Sequence, residues 1–266
     1  MALTLQTFPT SDAAAAALAA DGAARYLGGG TLVVRDANEG DVSFSSYIRA
    51  TDPALQAIAV TDGRATLGAS VTMGRIIADI RLECLAKAAH SVGGPAIRNM
   101  ATVGGNLYAP APYGDLGVAL LALDADIEIG GTSIPLQRFL AERDTTHARS
   151  VVRSISFALP DTGAFRFIKV SRIKPKGVSI IAIAAVLEER GGTITSARIA
   201  YGCMADRPMR AKAAEAALAG KSRTADGIAE ALAVASEGTD PITDAIASAW
   251  YRTQVLPVHL GRLLLA

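Results

Sequence analysis

Two glycine pairs in the stretch 93–124 constrain this chain more than any other sequence feature. The stretch is GGPAIRNMATVGGNLYAPAPYGDLGVALLALD, with Gly93-Gly94 before Pro95 and Gly104-Gly105 before Asn106. A simple turn needs only one glycine, so paired glycines suggest that something other than protein approaches the backbone. A second such segment is YLGGGT at 26–31. Together the two loops predict contacts with both ends of one large phosphate-containing cofactor, although GGG alone is also compatible with a tight turn.

Composition excludes several classes of protein. Half of the 266 residues are hydrophobic, 19% are charged and the net charge is +1. These values indicate a packed protein of two modest domains, without the basic excess that nucleic acid attracts. No apolar run is long enough to span a bilayer. The alanine run Ala13–Ala17 follows Asp12 with no preceding Lys or Arg, which favours an amphipathic helix over a signal peptide and predicts a cytoplasmic protein.

No metal site or catalytic residue is predicted. The two cysteines, Cys84 and Cys203, are too few to hold an iron–sulfur cluster, and the three histidines lack helical ligand spacing. No G-x-G-x-x-G occurs, which argues against a Rossmann dinucleotide site. Gly220-Lys221-Ser222 resembles the end of a P-loop, but Glu215 stands where that motif requires glycine.

Periodicity predicts the order of elements. In the first half we expect a helix from Thr10 or Ser11 to about Ala20, a short strand at 26–27, and either a strand or a helix after the glycines. We then expect a hairpin at 57–68, helices at 72–78, 82–90 and from Asp115, strands at 126–129 and 151–159, and a helical turn at 135–140. In the second half we expect strands at 165–170, 179–187 and 193–201, followed by helices at 211–218, 225–236 and 242–265.

A family resemblance is carried by IRNMATVGGNL at 97–107. This segment resembles the signature of the FAD-binding medium subunit of molybdenum hydroxylases, the family of xanthine dehydrogenase, carbon monoxide dehydrogenase and aldehyde oxidoreductase. The similarity continues through Gly114-Asp115 and the residues 119–125, and returns to GGGT at 28–31. Further on it includes FIKVSR at 167–172, Tyr251-Arg252 and Arg262.

The resemblance implies an α+β fold. The first domain, 1–160, would be a two-lobed FAD-binding domain of the vanillyl-alcohol oxidase (PCMH) type, with lobes of about 1–50 and 51–160. The second, 161–266, would be a CO dehydrogenase flavoprotein C-terminal-type domain, a three-stranded antiparallel sheet with helices.

The resemblance also implies cofactor-binding residues. The FAD pyrophosphate would contact mainly backbone N–H groups of two segments, Leu27, Gly28, Gly29, Gly30, Thr31 and Leu32, and Thr102, Val103, Gly104, Gly105 and Asn106. Asp115 would hydrogen-bond the ribose or a nearby polar part of FAD, and Val92 and Val152 would touch the flavin or adenine. Lys169 would lie near the isoalloxazine, where positive charge favours the anionic reduced flavin.

Each role has a structural alternative. Asp115 could cap the following helix, Lys169 could be a solvated strand residue, and the two valines could be ordinary core. The chain also departs from the family pattern in places. Leu32 replaces an aspartate, Lys174-Pro175-Lys176-Gly177 replaces an acidic or phenylalanine-containing segment near the flavin ring or a partner, and 125–151 lacks the cysteines of a four-iron cluster insertion.

The implied function is electron transfer through non-covalent FAD. Electrons from a molybdenum-cofactor large subunit would cross the two-iron clusters of a small subunit, reach FAD and pass to an external acceptor, in what is usually a dimer of heterotrimers. Molybdopterin and the clusters would belong to the partners only. The alternatives are a free-standing flavin oxidoreductase of the same fold and an assembly subunit without FAD.

Overall fold

The computed structural model describes residues 3–173 and 177–266, so the segment Lys174-Pro175-Lys176 lies outside the described residues. The described residues form three β-sheets with helices packed against them. Two sheets belong to the N-terminal half and one to the C-terminal half, in agreement with the predicted two-lobed domain followed by an antiparallel sheet.

The first lobe is a small parallel sheet with one long helix. Its elements are β1 (Thr4–Phe8), α1 (Ser11–Ala20), β2 (Ala24–Tyr26), α2 (Val33–Asn38) and β3 (Ser46–Ala50). Strand β3 lies between β1 and β2 and is parallel to both. The Thr10 hydroxyl accepts the Ala13 N–H at 3.2 Å and so starts α1 as predicted. The segment after the glycines is helix α2, which decides between the two predicted alternatives.

The second lobe is an antiparallel sheet with helices between its strands. Its elements are β4 (Ile58–Thr61), β5 (Arg64–Gly68), α3 (Met73–Ala78), α4 (Glu83–Ser91), α5 (Pro95–Met100), α6 (Val103–Tyr108), α7 (Asp115–Ala122), β6 (Asp126–Ile129), β7 (Thr132–Pro135), α8 (Leu136–Glu142) and β8 (Val152–Ala158), with 3₁₀ turns at Pro53–Gln56 and Ile80–Leu82. The strand order is β4-β5-β8-β6-β7. The predicted hairpin is confirmed, since Asp62 and Gly63 join β4 to β5 with φ of 50° and 72°.

The C-terminal half is an antiparallel sheet covered by helices. Its elements are β9 (Phe165–Val170), β10 (Ile181–Arg190), β11 (Thr193–Gly202), β12 (Met209–Arg210), α9 (Lys212–Leu218), α10 (Ala229–Ala233) and α11 (Ala249–Leu265). The strand order is β12-β11-β10-β9, so the sheet has one short strand more than predicted.

Two predicted helices are shorter in the structure. Only Ala229–Ala233 of the range 225–236 is α-helical. The range 242–265 becomes helical at Ala249, because Ser248 accepts the Tyr251 N–H at 3.2 Å as an N-cap. The residues before Ser248 form a loop instead.

Asp244 holds this loop against α11. Its carboxylate accepts the N–H groups of Ile246 and Ala247 and pairs at 2.8 Å with Arg252, which is fully buried. Burial acts to raise the pKa of Asp244, but these hydrogen bonds and the guanidinium outweigh it and leave the pKa below its ordinary value.

Strand β10 joins the two hydrophobic cores. Ala182, Ala184 and Val186 belong to the core that contains α7 and the N-terminal half. Ile181, Ile183, Ala185 and Leu187 point to the opposite face, into the core formed with α9, α10 and α11. A strand with both faces covered is apolar without alternation, and this explains the continuous run IAIAAVL.

Candidate functional site

A cavity of about 730 Å³ is lined by residues of both lobes and of β9. Its size lies in the range of sites for organic ligands. Most of the predicted cofactor-binding residues line it, namely Gly28, Gly29, Gly30, Thr31, Leu32, Val92, Thr102, Gly104, Gly105, Asn106, Asp115, Val152 and Lys169. Leu27 and Val103 do not line it. The Val103 side chain is fully buried in the core, and the Leu27 N–H binds Ile48 O at 2.8 Å.

The loop from Gly28 to Leu32 carries a row of available donors. None of its five backbone N–H groups has a hydrogen-bond partner among residues 3–173 and 177–266, although all five residues line the cavity. Before the row, the Leu27 N–H reaches Ile48 O at 2.8 Å, and two residues after it the Val34 N–H reaches Gly30 O at 3.1 Å. Successive unpaired N–H groups form a concave binding site for an anion.

The structure requires glycine in these segments for a reason other than the predicted close approach of a diphosphate. A Cβ on Gly29 would lie 1.8 Å from Met100 O, so the loop packs directly on the backbone at the end of α5. Gly30 has φ of +74°, a conformation that favours glycine. A Cβ on Gly104 would lie 3.0 Å from Ala69 Cβ. At Gly29 and Gly104 the chain itself fills the space that the sequence argument reserved for a diphosphate.

The second glycine segment offers fewer N–H groups than predicted. Thr102 caps α6 by accepting the Gly105 N–H at 3.1 Å, and Val103 N–H binds Val71 O at 2.9 Å. Gly104 N–H binds Ala69 O at 2.8 Å, and Asn106 N–H binds Thr102 O at 2.9 Å. The predicted use of these four N–H groups for a phosphate is therefore not what the geometry favours.

Asn106 presents a side-chain donor instead. Its Oδ1 accepts the Gly117 N–H at 3.1 Å, which fixes α6 against α7. That bond orients the amide, and its Nδ2 has no partner among the described residues. Because Asn106 lines the cavity, Nδ2 is a second kind of donor available there.

Lys169 and Asp115 form an ion pair at one wall of the cavity. Lys169 Nζ lies 2.8 Å from Asp115 Oδ2, and the two side chains are 12% and 7% exposed. Lys169 also donates to Ser91 O at 2.8 Å, and Ser179 donates to Asp115 Oδ1 at 2.6 Å. The alternative in which Lys169 is a solvated strand residue is therefore wrong. Capping by Asp115 is also wrong, because Gly114 is the N-cap of α7 and no side chain caps that helix.

Apolar and aromatic surface completes the cavity. Val152 is 4% exposed and Val92 is half-buried, and both line the cavity at the ends of their elements. Tyr26 lies nearby, and burial raises the pKa of its hydroxyl. The valines can cover the faces of a planar ligand while the hydroxyl stays neutral.

Arg35 and Tyr113 form a lining pair that sequence reasoning missed. Arg35 Nη1 donates to Tyr113 Oη at 2.8 Å, and its guanidinium carbon lies 5.3 Å from the centre of the ring. The pair connects α2 with the loop before α7 across the cavity. The only local signal was an aromatic residue directly before Gly114-Asp115.

Two buried or half-buried arginines also fix the cavity walls. Arg149, which lines the cavity, donates to the carbonyl groups of Leu18 and Asp21 and so joins the segment before β8 to the end of α1. Arg143 is 4% exposed and donates to Leu107 O and Ala109 O, both at 3.1 Å. Nothing in the local sequence distinguished these arginines from surface residues.

Residues 5–160 match the family model described as the FAD binding domain in molybdopterin dehydrogenase. The chain belongs to this family. Residues 166–266 match a second model, the CO dehydrogenase flavoprotein C-terminal domain. The resemblance carried by residues 97–107 is thereby confirmed as that of the medium, FAD-binding subunit, and so are FAD as the cofactor of the family and the class of oxidoreductase flavoproteins.

Curated relatives of this FAD-binding family include subunits of several dehydrogenases. The nicotinate dehydrogenase FAD-subunit of Eubacterium barkeri is 31% identical over 156 residues, which are 54% of this chain and 53% of that protein. The glyceraldehyde dehydrogenase medium chain of Sulfolobus acidocaldarius is 25% identical over 176 residues, 64% of this chain and 63% of that protein. The matches thus span between about half and two thirds of these relatives.

Solved structures share the fold of this chain. Carbon monoxide dehydrogenase from Hydrogenophaga pseudoflava gives a TM-score of 0.92 at 23% identity, covering 99% of this chain and 96% of that chain. Quinoline 2-oxidoreductase from Pseudomonas putida 86 gives 0.88 at 24% identity, covering 100% and 96%. The predicted fold class is confirmed. Within the described ranges no helix is long and apolar enough to cross a membrane.

Proposed function

We propose that the cavity binds FAD non-covalently, with the pyrophosphate against residues 28–32 and the isoalloxazine toward Lys169. The observation that carries this proposal is the row of five backbone N–H groups, Gly28 to Leu32, without partners among the described residues. Donors in this arrangement suit the phosphate oxygens of a dinucleotide cofactor. The cavity volume of about 730 Å³ supports a ligand of that size.

The other lining residues have complementary roles in this proposal. Asn106 Nδ2 donates to a polar group of the cofactor, and Val92 and Val152 cover its ring faces. Lys169 places a positive charge beside the flavin. When bound, FAD would supply the redox chemistry, and this chain would hold the cofactor and tune its potential. The contacts of Thr102, Gly104, Gly105 and Asp115 with FAD stay predictions.

We further propose that the chain is an electron-transfer subunit of a molybdenum hydroxylase. The E. barkeri relative is named as a FAD-subunit, and the H. pseudoflava carbon monoxide dehydrogenase was solved without the Mo-pyranopterin moiety of its molybdenum cofactor. In this proposal the partners are a molybdenum-cofactor large subunit and a two-iron-cluster small subunit, an external acceptor takes the electrons, and the assembly is a dimer of heterotrimers in the cytoplasm.

The proposed division of labour follows the sequence. Residues 1–160, with lobes of about 1–50 and 51–160, hold the cofactor. Residues 161–266 supply Lys169 to the cavity wall and present an outer helical layer. The two family models meet between residues 160 and 166, which supports this division.

A first test compares the affinities of three flavins. The purified protein is stripped of cofactor and titrated with FAD, FMN and riboflavin by quenching of flavin fluorescence. Two hydrogen bonds to phosphate worth about 1.5 kcal/mol each make FAD bind more than about 100-fold tighter than riboflavin. Equal affinities for FAD and riboflavin would exclude the phosphate-binding role of residues 28–32.

A second test addresses the electron-transfer role. The protein is purified from its source with native partners, and its visible spectrum and released cofactor mass are measured. FAD together with a co-purifying molybdenum subunit supports the proposal. A solitary chain that holds FAD and oxidises a substrate by itself would favour the free-standing oxidoreductase instead, and a colourless chain that takes up no FAD would leave only the assembly role.

A further inference from the structure

Four polar side chains from separate elements converge at one wall of the cavity. Ser91 ends α4, Asp115 begins α7, Lys169 lies on β9 and Ser179 precedes β10. Lys169 and Asp115 line the cavity, whereas Ser179 is fully buried behind them. Segments far apart in sequence therefore build one polar group at a ligand-facing surface.

The Lys169 ammonium keeps one donor available. Two of its three N–H bonds are directed to Asp115 Oδ2 and Ser91 O, both at 2.8 Å. The third has no partner among residues 3–173 and 177–266, and the residue lines the cavity. With a side chain only 12% exposed, bulk water does not solvate this charge as it would on the surface.

The Asp115 carboxylate is itself held by a hydroxyl. Ser179 Oγ lies 2.6 Å from Oδ1, a short charge-assisted hydrogen bond. Ser91 Oγ lies 3.2 Å from Oδ2 but only 2.6 Å from Ala88 O, so its single proton is directed mainly to the carbonyl. Ser179 is thus the hydroxyl that commits its proton to Asp115.

The position of Ser179 is set by the C-terminal half. Cys203 Sγ contacts Ser179 O at 3.6 Å, and Arg252 of α11 donates to the neighbouring Ile180 O. A chain of contacts therefore runs from α11 through residues 179–180 to Asp115 and then to the ammonium at the cavity wall.

A buried ion pair contributes little net stability, because desolvation offsets its attraction. The contacts of this ion pair instead hold the Lys169 ammonium at a fixed position. We propose that Ser179 is a positioning residue that acts through Asp115 to hold the Lys169 ammonium with its third N–H directed at the bound cofactor, and so favours the reduced form of that cofactor. This inference rests on the proposed binding of FAD.

The test measures how much more tightly the protein holds reduced than oxidised FAD. The difference between the midpoint potentials of bound and free FAD, determined by dye equilibration, gives this affinity ratio. For Ser179→Ala we expect the ratio to fall about fivefold, or ~20 mV for a two-electron couple. For Lys169→Met we expect about a hundredfold loss, or ~60 mV by the same conversion.

The double variant separates positioning from a general structural effect. If Ser179 acts through Lys169, the Ser179→Ala change has no further effect on the ratio in the Lys169→Met background. Ser46→Ala is the matched control, because Ser46 is also buried and its hydroxyl donates to the Asp21 carboxylate at 2.8 Å. Neither Ser46 nor Asp21 lines the cavity. Its affinity ratio should equal that of the wild type.

The outcomes distinguish this inference from the proposed function. Wild-type protein that binds FAD, with an unchanged ratio in Ser179→Ala or an additive loss in the double variant, overturns the positioning role alone. Wild-type protein that does not bind FAD overturns both. If Ser179→Ala does not fold, Ser179→Cys keeps a similar volume with a weaker donor and should show a smaller fall in the same direction, and no fall would overturn the inference.

Discussion

Replacing Gly29 with alanine should destabilise the protein even when no cofactor is bound. The new Cβ would lie 1.8 Å from Met100 O, 2.6 Å from Met100 C and 3.1 Å from Ala101 Cα. Backbone atoms cannot rotate away as a flexible side chain can. To restore even a 3.0 Å separation from the oxygen, the loop and the segment after α5 must move apart by about 1.2 Å.

The size of the effect follows from that displacement. Overpacking of this kind costs about 1–3 kcal/mol and sometimes more. A loss of about 3 kcal/mol lowers the Tm of a chain of this length by roughly 6–12 °C. The same shift moves the N–H groups of residues 28–32 by more than the range of donor–acceptor distances over which a hydrogen bond forms. The affinity for FAD should therefore fall by at least about tenfold.

The assay uses cofactor-free protein for stability and titration with FAD for affinity. Thermal and urea unfolding are followed by circular dichroism for the wild type, Gly29→Ala and Gly22→Ala. Gly22 is the control, because a Cβ there has nothing within 4 Å and its φ is not positive, so both properties should stay near wild type. If Gly29→Ala lost FAD affinity while its cofactor-free stability equalled that of the wild type, Gly29 would be required for space around the ligand, and the packing argument would be refuted.

Three further predictions test other parts of the molecule. Tyr113→Phe keeps the ring beside Arg35 but removes the 2.8 Å hydrogen bond; because the pair is exposed, FAD release in a chase experiment should accelerate by no more than about fivefold. Burial raises the pKa of Cys84 to about 11 and of Cys203 to about 12, so their thiols stay protonated up to high pH. Iodoacetamide at pH 8 should modify them roughly 100-fold more slowly than the unfolded chain, a difference that shrinks as pH rises. Arg252→Met removes the cation that pairs with the partly buried Asp244 carboxylate and should lower the free energy of unfolding in urea by about 3–5 kcal/mol. An unchanged unfolding midpoint would argue that this ion pair does not stabilise the fold.

Elements with local signals were predictable from the sequence. Thr10 and Thr72 each precede a helix and cap it with the hydroxyl, and Asp62-Gly63 supplies the positive φ values of a hairpin. Most of the residues that the family resemblance named for the cofactor line the cavity, because they fall in a few short segments around it. Strand β1 escaped notice because it lies at a sheet edge with four of its five residues exposed, so burial imposes little pattern on it.

Long-range contacts account for what the sequence did not predict. The requirement for glycine at position 29 comes from Met100, and the burial of Lys169 comes from Asp115 in a different half of the chain. Ser179 resembles any polar residue at the start of an apolar strand until the fold places it behind Asp115. Such roles depend on which segments meet in space, and neither periodicity nor spacing contains that information.

The position of β10 between the two cores has a consequence for cooperativity. Alternate side chains of this strand complete two hydrophobic cores, so neither half of the chain can lose its structure without exposing an apolar face of the other. The segments matched by the two family models are therefore separable in sequence, but we expect them to unfold as one cooperative unit. An isolated fragment of residues 1–160 would lack Ala182, Ala184 and Val186 against α7, and we expect it to unfold more readily than the same residues in the full chain.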